Sequence, residues 1–173
     1  QPIASLDGVW QATTTRYGGS LRSVALRLGD GRLAITSPIC GLGATVHQGL
    51  AALGRPVVLV APNHFHNLGL REYRAAYPDA EIVASEKAAP RIARRCGHEV
   101  RPLARLGELL PPHIRLLVPP RTSNGEIWLS VQGSNGRAWI VGDAFFNMPQ
   151  TPYSPLGLLL AALGTCPGLR IGS

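Results

Sequence analysis

Residues 57–69, VVLVAPNHFHNLG, constrain this chain more than any other stretch. Residues 57–60 form a continuous apolar run, short enough for a strand and apolar enough for burial on both faces. Upstream, residues 45–53 set Val46, Leu50 and Leu53 at helical spacing, with Gly54 as a stop. Residues 23–28 and 32–37 alternate apolar and polar positions around Gly29-Asp30-Gly31, which predicts a hairpin. A strand, a helix and a strand with no hairpin between them make a crossover, and a crossover implies α/β layering. The alternation then repeats. Residues 68–77 predict a helix, 81–84 a strand, and 85–95 a second helix that Ser85 caps and Gly97 ends.

The stretches on either side of this alternation read as β-structure. Residues 9–14 are β-rich, and 113–118 are apolar at alternate positions. Residues 126–131 and 137–141 flank Gly133-Ser134-Asn135-Gly136, a hairpin signal. The segment GDAFFN at 142–147 follows an apolar strand, so Asp143 is expected at a sheet rim. Pro149, Pro152 and Pro155 then predict a rigid loop before an apolar helix over 156–163. With 173 residues and no internal linker, repeat or low-complexity segment, a single domain over 1–173 is expected.

The two histidines of the key stretch alternate around Phe65. On an extended chain, residues two apart point to one side, so His64 and His66 are expected to aim into one space. Neutral imidazole is the commonest metal ligand, and a converging pair makes half of a zinc or iron site. The alternative is that both rings cap loop backbone beside a sheet. Asn63 and Asn67 flank the pair, each a candidate partner for fixing an imidazole tautomer.

The net charge of +7 suits acidic ligands. Arg91, Arg94, Arg95, Arg101 and Arg105 form its densest cluster, with no aromatic residue among them to stack a base. A solvated helix face is expected there, and no nucleic-acid partner. Cys40, Cys96 and Cys166 have neither zinc-finger nor disulfide spacing, which predicts reduced thiols and a cytoplasmic location. No leader pattern opens the chain, and the run 156–163 is too short to span a bilayer, so no membrane association is expected.

Three segments together resemble the metallo-β-lactamase superfamily. LVAPNHFHNLG at 59–69 is similar to its strand followed by His-x-His-x-Asp-His. VPPRTSNGEIWLSV at 118–131 resembles its Pro-Gly-His-Thr-x-Gly loop and following strand, and WIVGDAFFN at 139–147 its strand ending in Gly-Asp. With YPDAEIVAS at 77–85, the first segment looks still more like an uncharacterised branch with a reduced histidine motif. The resemblance implies a four-layer αββα sandwich of two mixed sheets, here incomplete at the C-terminal end.

The departures from that pattern matter equally. Leu68 and Gly69 stand where the family has a metal-binding Asp and His. Arg121, a permanent cation, stands at the later loop histidine. No histidine follows His113, so the family's last ligand is missing too. His64, His66 and Asp143 are what the resemblance leaves, a 2-His-1-carboxylate set for one zinc or iron ion at most. Two functions follow from it. In one, a single-metal hydrolase activates water at that ion, with Arg121 and Asp143 as catalytic groups on a small anionic substrate. In the other, no metal is bound, Arg121 pairs with Asp143, and the rim binds a small anion or a protein. The apolar surface that an incomplete sandwich leaves uncovered predicts a homodimer.

Overall fold

The computed structural model describes residues 1–16, 19–41, 43–148, 155–162 and 168–171. The chain opens with β1 (Val9–Arg16), β2 (Gly19–Arg27) and β3 (Leu33–Thr36), which pair antiparallel in sequence order. The turn at 29–31 joins β2 to β3 as the alternating pattern predicts. Helix α1 (Gly43–Leu53) then crosses over to β4 (Pro56–Val60), and α2 (Leu70–Ala76) to β5 (Glu81–Val83). Helix α3 (Ala89–Cys96) crosses over to β6 (Val100–Arg101). The four strands β3–β6 are parallel neighbours, and the full sheet has the order β1-β2-β3-β4-β5-β6.

Because each crossover steps one strand in the same direction, one handedness places all three helices on one face. The packing agrees. Leu50 of α1, Leu70 and Tyr73 of α2, and Ile92 and Cys96 of α3 cluster with Leu33, Ile35, Leu59 and Ile82 of the sheet. Register explains the row, since Ile35 pairs with Leu59 and Leu59 with Ile82. The alternate positions Ala34, Val58, Val60 and Val83 face the other way. Every residue of β4 is buried, as the run of three valines and one leucine requires of a central strand.

That second face meets a second sheet. After α4 (Ala104–Gly107) come β7 (Ile114–Leu117), β8 (Trp128–Gly133) and β9 (Gly136–Ile140), paired antiparallel in sequence order. Ile114, Leu129 and Val131 close the core between the sheets, with Leu106 of α4 at its side. Strands β10 (Phe145–Met148) and β11 (Gly168–Ile171) make a separate antiparallel pair, on either side of α5 (Pro155–Ala162). Only the first sheet mixes strand directions among the described residues. The hairpin at 133–136 forces β8 and β9 antiparallel, and no crossover helix separates β7 from β8. The helix expected over 156–163 is α5, whose Leu158 and Leu159 are exposed. The proline loop before it, apart from Pro155, lies outside the described residues, as does Cys166. Strand β11 carries no pattern strong enough to be expected from sequence. No helix among the described residues is long and apolar enough to cross a membrane.

Candidate functional site

Strand β4 ends at Val60, and the chain does not stay extended through the histidines. Pro62 cannot donate to a ladder. Asn63 accepts the Phe65 N–H on its side-chain Oδ1 at 2.8 Å, and the His66 N–H reaches the Asn63 carbonyl at 3.3 Å. This is an Asx turn, in which a short amide side chain substitutes for backbone pairing. The alternation expected of His64 and His66 therefore does not apply, because it needs a strand. The turn is stitched to the segment before β8: the His64 N–H donates to the Asn124 carbonyl (3.1 Å), and the Ile127 N–H to that of Pro62 (2.8 Å).

The two imidazoles have different surroundings. His66 Nε2 lies 3.2 Å from Asp143 Oδ1 and donates to it in the Nε2–H tautomer. Burial pushes the Asp143 carboxyl up, but the His66 contact, the Asn63 hydrogen bond and the nearby His64 together outweigh it. The carboxyl is held below its ordinary range. The His64 ring instead meets Phe65 edge-on, with centroids 4.2 Å apart. Burial and then the Arg91 charge push its pKa down, with a further push from Lys87, against the pull of Asp143. His64 is thereby held as the neutral imidazole at neutral pH.

Asn63 and Asn67 bond to neither ring. Asn67 Nδ2 donates to the carbonyls of His64 (3.0 Å) and Phe65 (3.2 Å), fixing the turn. Asn63, fully buried, donates Nδ2 to Asp143 Oδ2 at 2.9 Å and to Glu126 Oε2 at 2.7 Å. Asn63 thus acts on the His66 ring only through Asp143.

Glu126 is the residue that sequence reading missed. It stands at the start of the strand pattern over 126–131, which carries no sign of a role for its carboxylate. Its side chain is 2% exposed and accepts four N–H groups. They come from Asn63, from the backbone of Gly142 (2.7 Å) and Asp143 (3.3 Å), and from Asn124 Nδ2 (3.4 Å). One carboxylate so ties the β4 turn, the segment before β8 and the Gly-Asp corner into a single unit. A Cβ on Gly142 would lie 2.9 Å from both Asn63 Nδ2 and Glu126 Oε1, so the glycine of Gly-Asp permits this approach. A buried carboxylate needs donors, and an asparagine beside the histidines was the only hint of one.

Arg121 is exposed, at φ 65°, with no hydrogen bond or ion pair among the described residues. It does not pair with Asp143, whose oxygens are taken by His66 and Asn63. The cation that does reach the histidine turn is Arg91 of α3, read from sequence as part of a solvated face. Its guanidinium carbon lies 5.0 Å from the Phe65 ring centroid, and its Nε is buried without a hydrogen-bond partner. Lys87 donates from Nζ to the Thr122 carbonyl at 2.6 Å and holds the loop of Arg121 against the start of α3. Cys96 is buried and has no role here, and His98 and His113 are exposed on other loops.

These residues fit a metal poorly. Among the described residues, no three His, Cys, Asp or Glu side chains are grouped so that they could hold an ion. Both Asp143 oxygens already accept protein donors, so coordination would cost those bonds. At Gly69 no ligand side chain is possible: a Cβ would lie 2.5 Å from the Pro38 carbonyl oxygen, where the Gly69 N–H now bonds.

No family model and no curated protein matches the chain. Among solved structures, a crystal structure from Thermotoga maritima, provisionally described as a metallo-beta-lactamase, is similar. The two superpose with a TM-score of 0.51 over 91% of this chain and 92% of that one, at 13% identity. The chain therefore has the metallo-β-lactamase-like sandwich fold. At such identity the likeness concerns fold alone, and the site's chemistry must be argued from this chain's own residues.

Proposed function

We propose that this chain is a divergent metallo-β-lactamase-fold protein with a reduced His-x-His motif that binds a small oxyanion without metal. The observation that carries the reading is Arg91. A guanidinium with a buried, unpartnered Nε and no ion pair among the described residues lacks the anion that such a group ordinarily has. His64 beside it offers a neutral ring able to donate one hydrogen bond. Lys87 adds to the positive field, and the charge of Asp143 is already met by His66 and Asn63.

Isothermal titration with inorganic phosphate tests this. Saturable binding is expected, with Arg91→Gln weakening it at least tenfold and added salt weakening it further. Absence of binding by the unaltered protein would sink the proposal.

The second reading is a single-metal hydrolase on His64, His66 and Asp143. It is favoured by one observation, the 3.2 Å contact of His66 Nε2 with Asp143 Oδ1, which brings two of the three candidate ligand side chains together. Elemental analysis of protein purified without chelator separates the two. About one zinc or iron per chain, lost in His66→Ala, would replace the first reading by the second.

A further inference from the structure

A cavity with no residue of the histidine turn in its lining opens on the helix side of the first sheet. Its volume is about 410 Å3, and neither His64, His66, Arg91 nor Asp143 lines it. Strand register builds its floor. Trp10 pairs with Ala25 and Ala25 with Ile35, while Ala12 pairs with Ser23, so five side chains form two adjacent rows across β1, β2 and β3. Its roof is one face of α1, where Val46, Gly49, Leu50 and Leu53 recur at helical spacing. Arg27, which is not part of the lining, packs against Trp10: its guanidinium carbon lies 5.1 Å from the Trp10 ring centroid, and Nη2 reaches the Leu53 carbonyl at 3.4 Å. Trp10 is thus held upright by a tie between β2 and the end of α1.

Two features set this space apart from ordinary loose packing. The first is Gly49, in the middle of α1. Glycine weakens a helix interior, and a mid-helix glycine usually marks a neighbour that needs the room. Here a Cβ would meet no atom within 4 Å, so no part of the protein requires the small residue. The second is the deep end. Tyr73 is 1% exposed, and burial pushes its phenol up to about 12, so it is a neutral hydroxyl at every physiological pH. Beside it Ser23 Oγ donates to the Thr36 carbonyl at 3.1 Å. An apolar chamber therefore ends in a pair of hydroxyls, and no charged side chain lines it.

We propose that this cavity is a binding site for a small neutral aromatic molecule carrying one hydroxyl group. Its ring would lie between Trp10 and the face of α1 at Gly49, and its hydroxyl would reach Ser23 and Tyr73. Apolar walls with a few placed polar groups are the usual composition of a small-molecule site, and the volume is in the usual range. The absence of charged lining side chains disfavours ions, which would lose their hydration without compensation. This site is independent of the oxyanion reading and stands or falls alone.

The test is titration of the full chain with 2-naphthol, followed by amide chemical shifts and calorimetry. Saturable binding is expected, with shifts concentrated on β1, β2 and α1 and none at residues 63–67. Gly49→Leu, whose Cβ would meet no atom within 4 Å, should project the rest of its side chain into the chamber and weaken binding at least tenfold while the protein stays folded. Ser23→Ala should weaken 2-naphthol several-fold and leave naphthalene unchanged, a difference that a merely structural effect would not produce. Failure to saturate, shifts centred elsewhere, or equal affinity in Gly49→Leu would each overturn the proposal.

Discussion

A buried carboxylate that touches only N–H donors is a sensitive place to change one atom. Converting Glu126 to Gln replaces an acceptor oxygen by an NH2 group, which faces Asn63 Nδ2 or the Gly142 N–H. The expected cost is about 2 to 3 kcal/mol, the loss of charge-assisted hydrogen bonds plus a clash of donors, read as a lower urea midpoint. His64 supplies a pH test at the same scale. Its folded pKa lies below the reference 6.5, so the unfolded chain takes the proton first as pH falls. Stability should therefore decline as pH drops below 6.5 and level off once the folded ring also protonates. His64→Asn should remove that part of the pH dependence in denaturation curves. Asp143 acts at lower pH: its depressed carboxyl contributes stability above 3.8 that is lost as pH falls through the folded value. The histidines, Asp143 and Asn63 were legible as candidates because imidazole, carboxylate and amide at strand ends carry their chemistry in their names. Their partners were not legible. A contact such as Asn63 with Glu126 joins residues 63 positions apart, and local pattern says nothing about such separations.

At the scale of elements, sequence read well where period and burial coincide. The run that became β4 is apolar at every position because both faces are covered, and the helices before and after it end at glycine or proline-aspartate signals. It read less well where the chain leaves regular structure. After the Pro62-Asn63 break the histidines read as an extended stretch, since two histidines two apart look alike in a strand or a turn. Arg91 reads from sequence as a solvated residue because helix periodicity locates a face without saying what loop lies over it. Gly69 shows the same gap, since its identity reflects a backbone approach rather than a local preference. With a Cβ 2.5 Å from the Pro38 carbonyl oxygen, Gly69→Ala must push α2 away from the segment after β3 or break the bond made by its own N–H. A loss of about 1 to 3 kcal/mol is expected, the usual penalty for overpacking. Hydrogen exchange should show the excess opening confined to α2 and residues 37–41. Uniform opening of the sheet would point to another cause.

For the molecule as a whole, the outward face of the second sheet sets the expectation of self-association. Ser130 pairs with Trp139 and Leu117 with Trp128, so alternation puts Leu117, Trp128 and Trp139 on the side away from the inter-sheet core. Trp139 is 49% exposed, and the Trp128 ring lies 6.1 Å from both Trp139 and Phe145. The same alternation places Arg115 beside Leu117 and Arg137 beside Trp139, both exposed. An aromatic face of this kind is commonly covered in solution, and a second copy meeting it about a two-fold axis would bury the aromatics and bring like charges together. The two effects oppose each other, which makes their balance measurable. Screening weakens the repulsion and leaves apolar burial intact, so dimerisation should strengthen as sodium chloride rises from about 50 to 500 mM. Trp139→Ser should shift sedimentation to the monomer at both salt concentrations, whereas Arg137→Gln should tighten the dimer mainly at low salt. A dimer that salt dissociates, or one indifferent to Trp139→Ser, would place the contact on another surface.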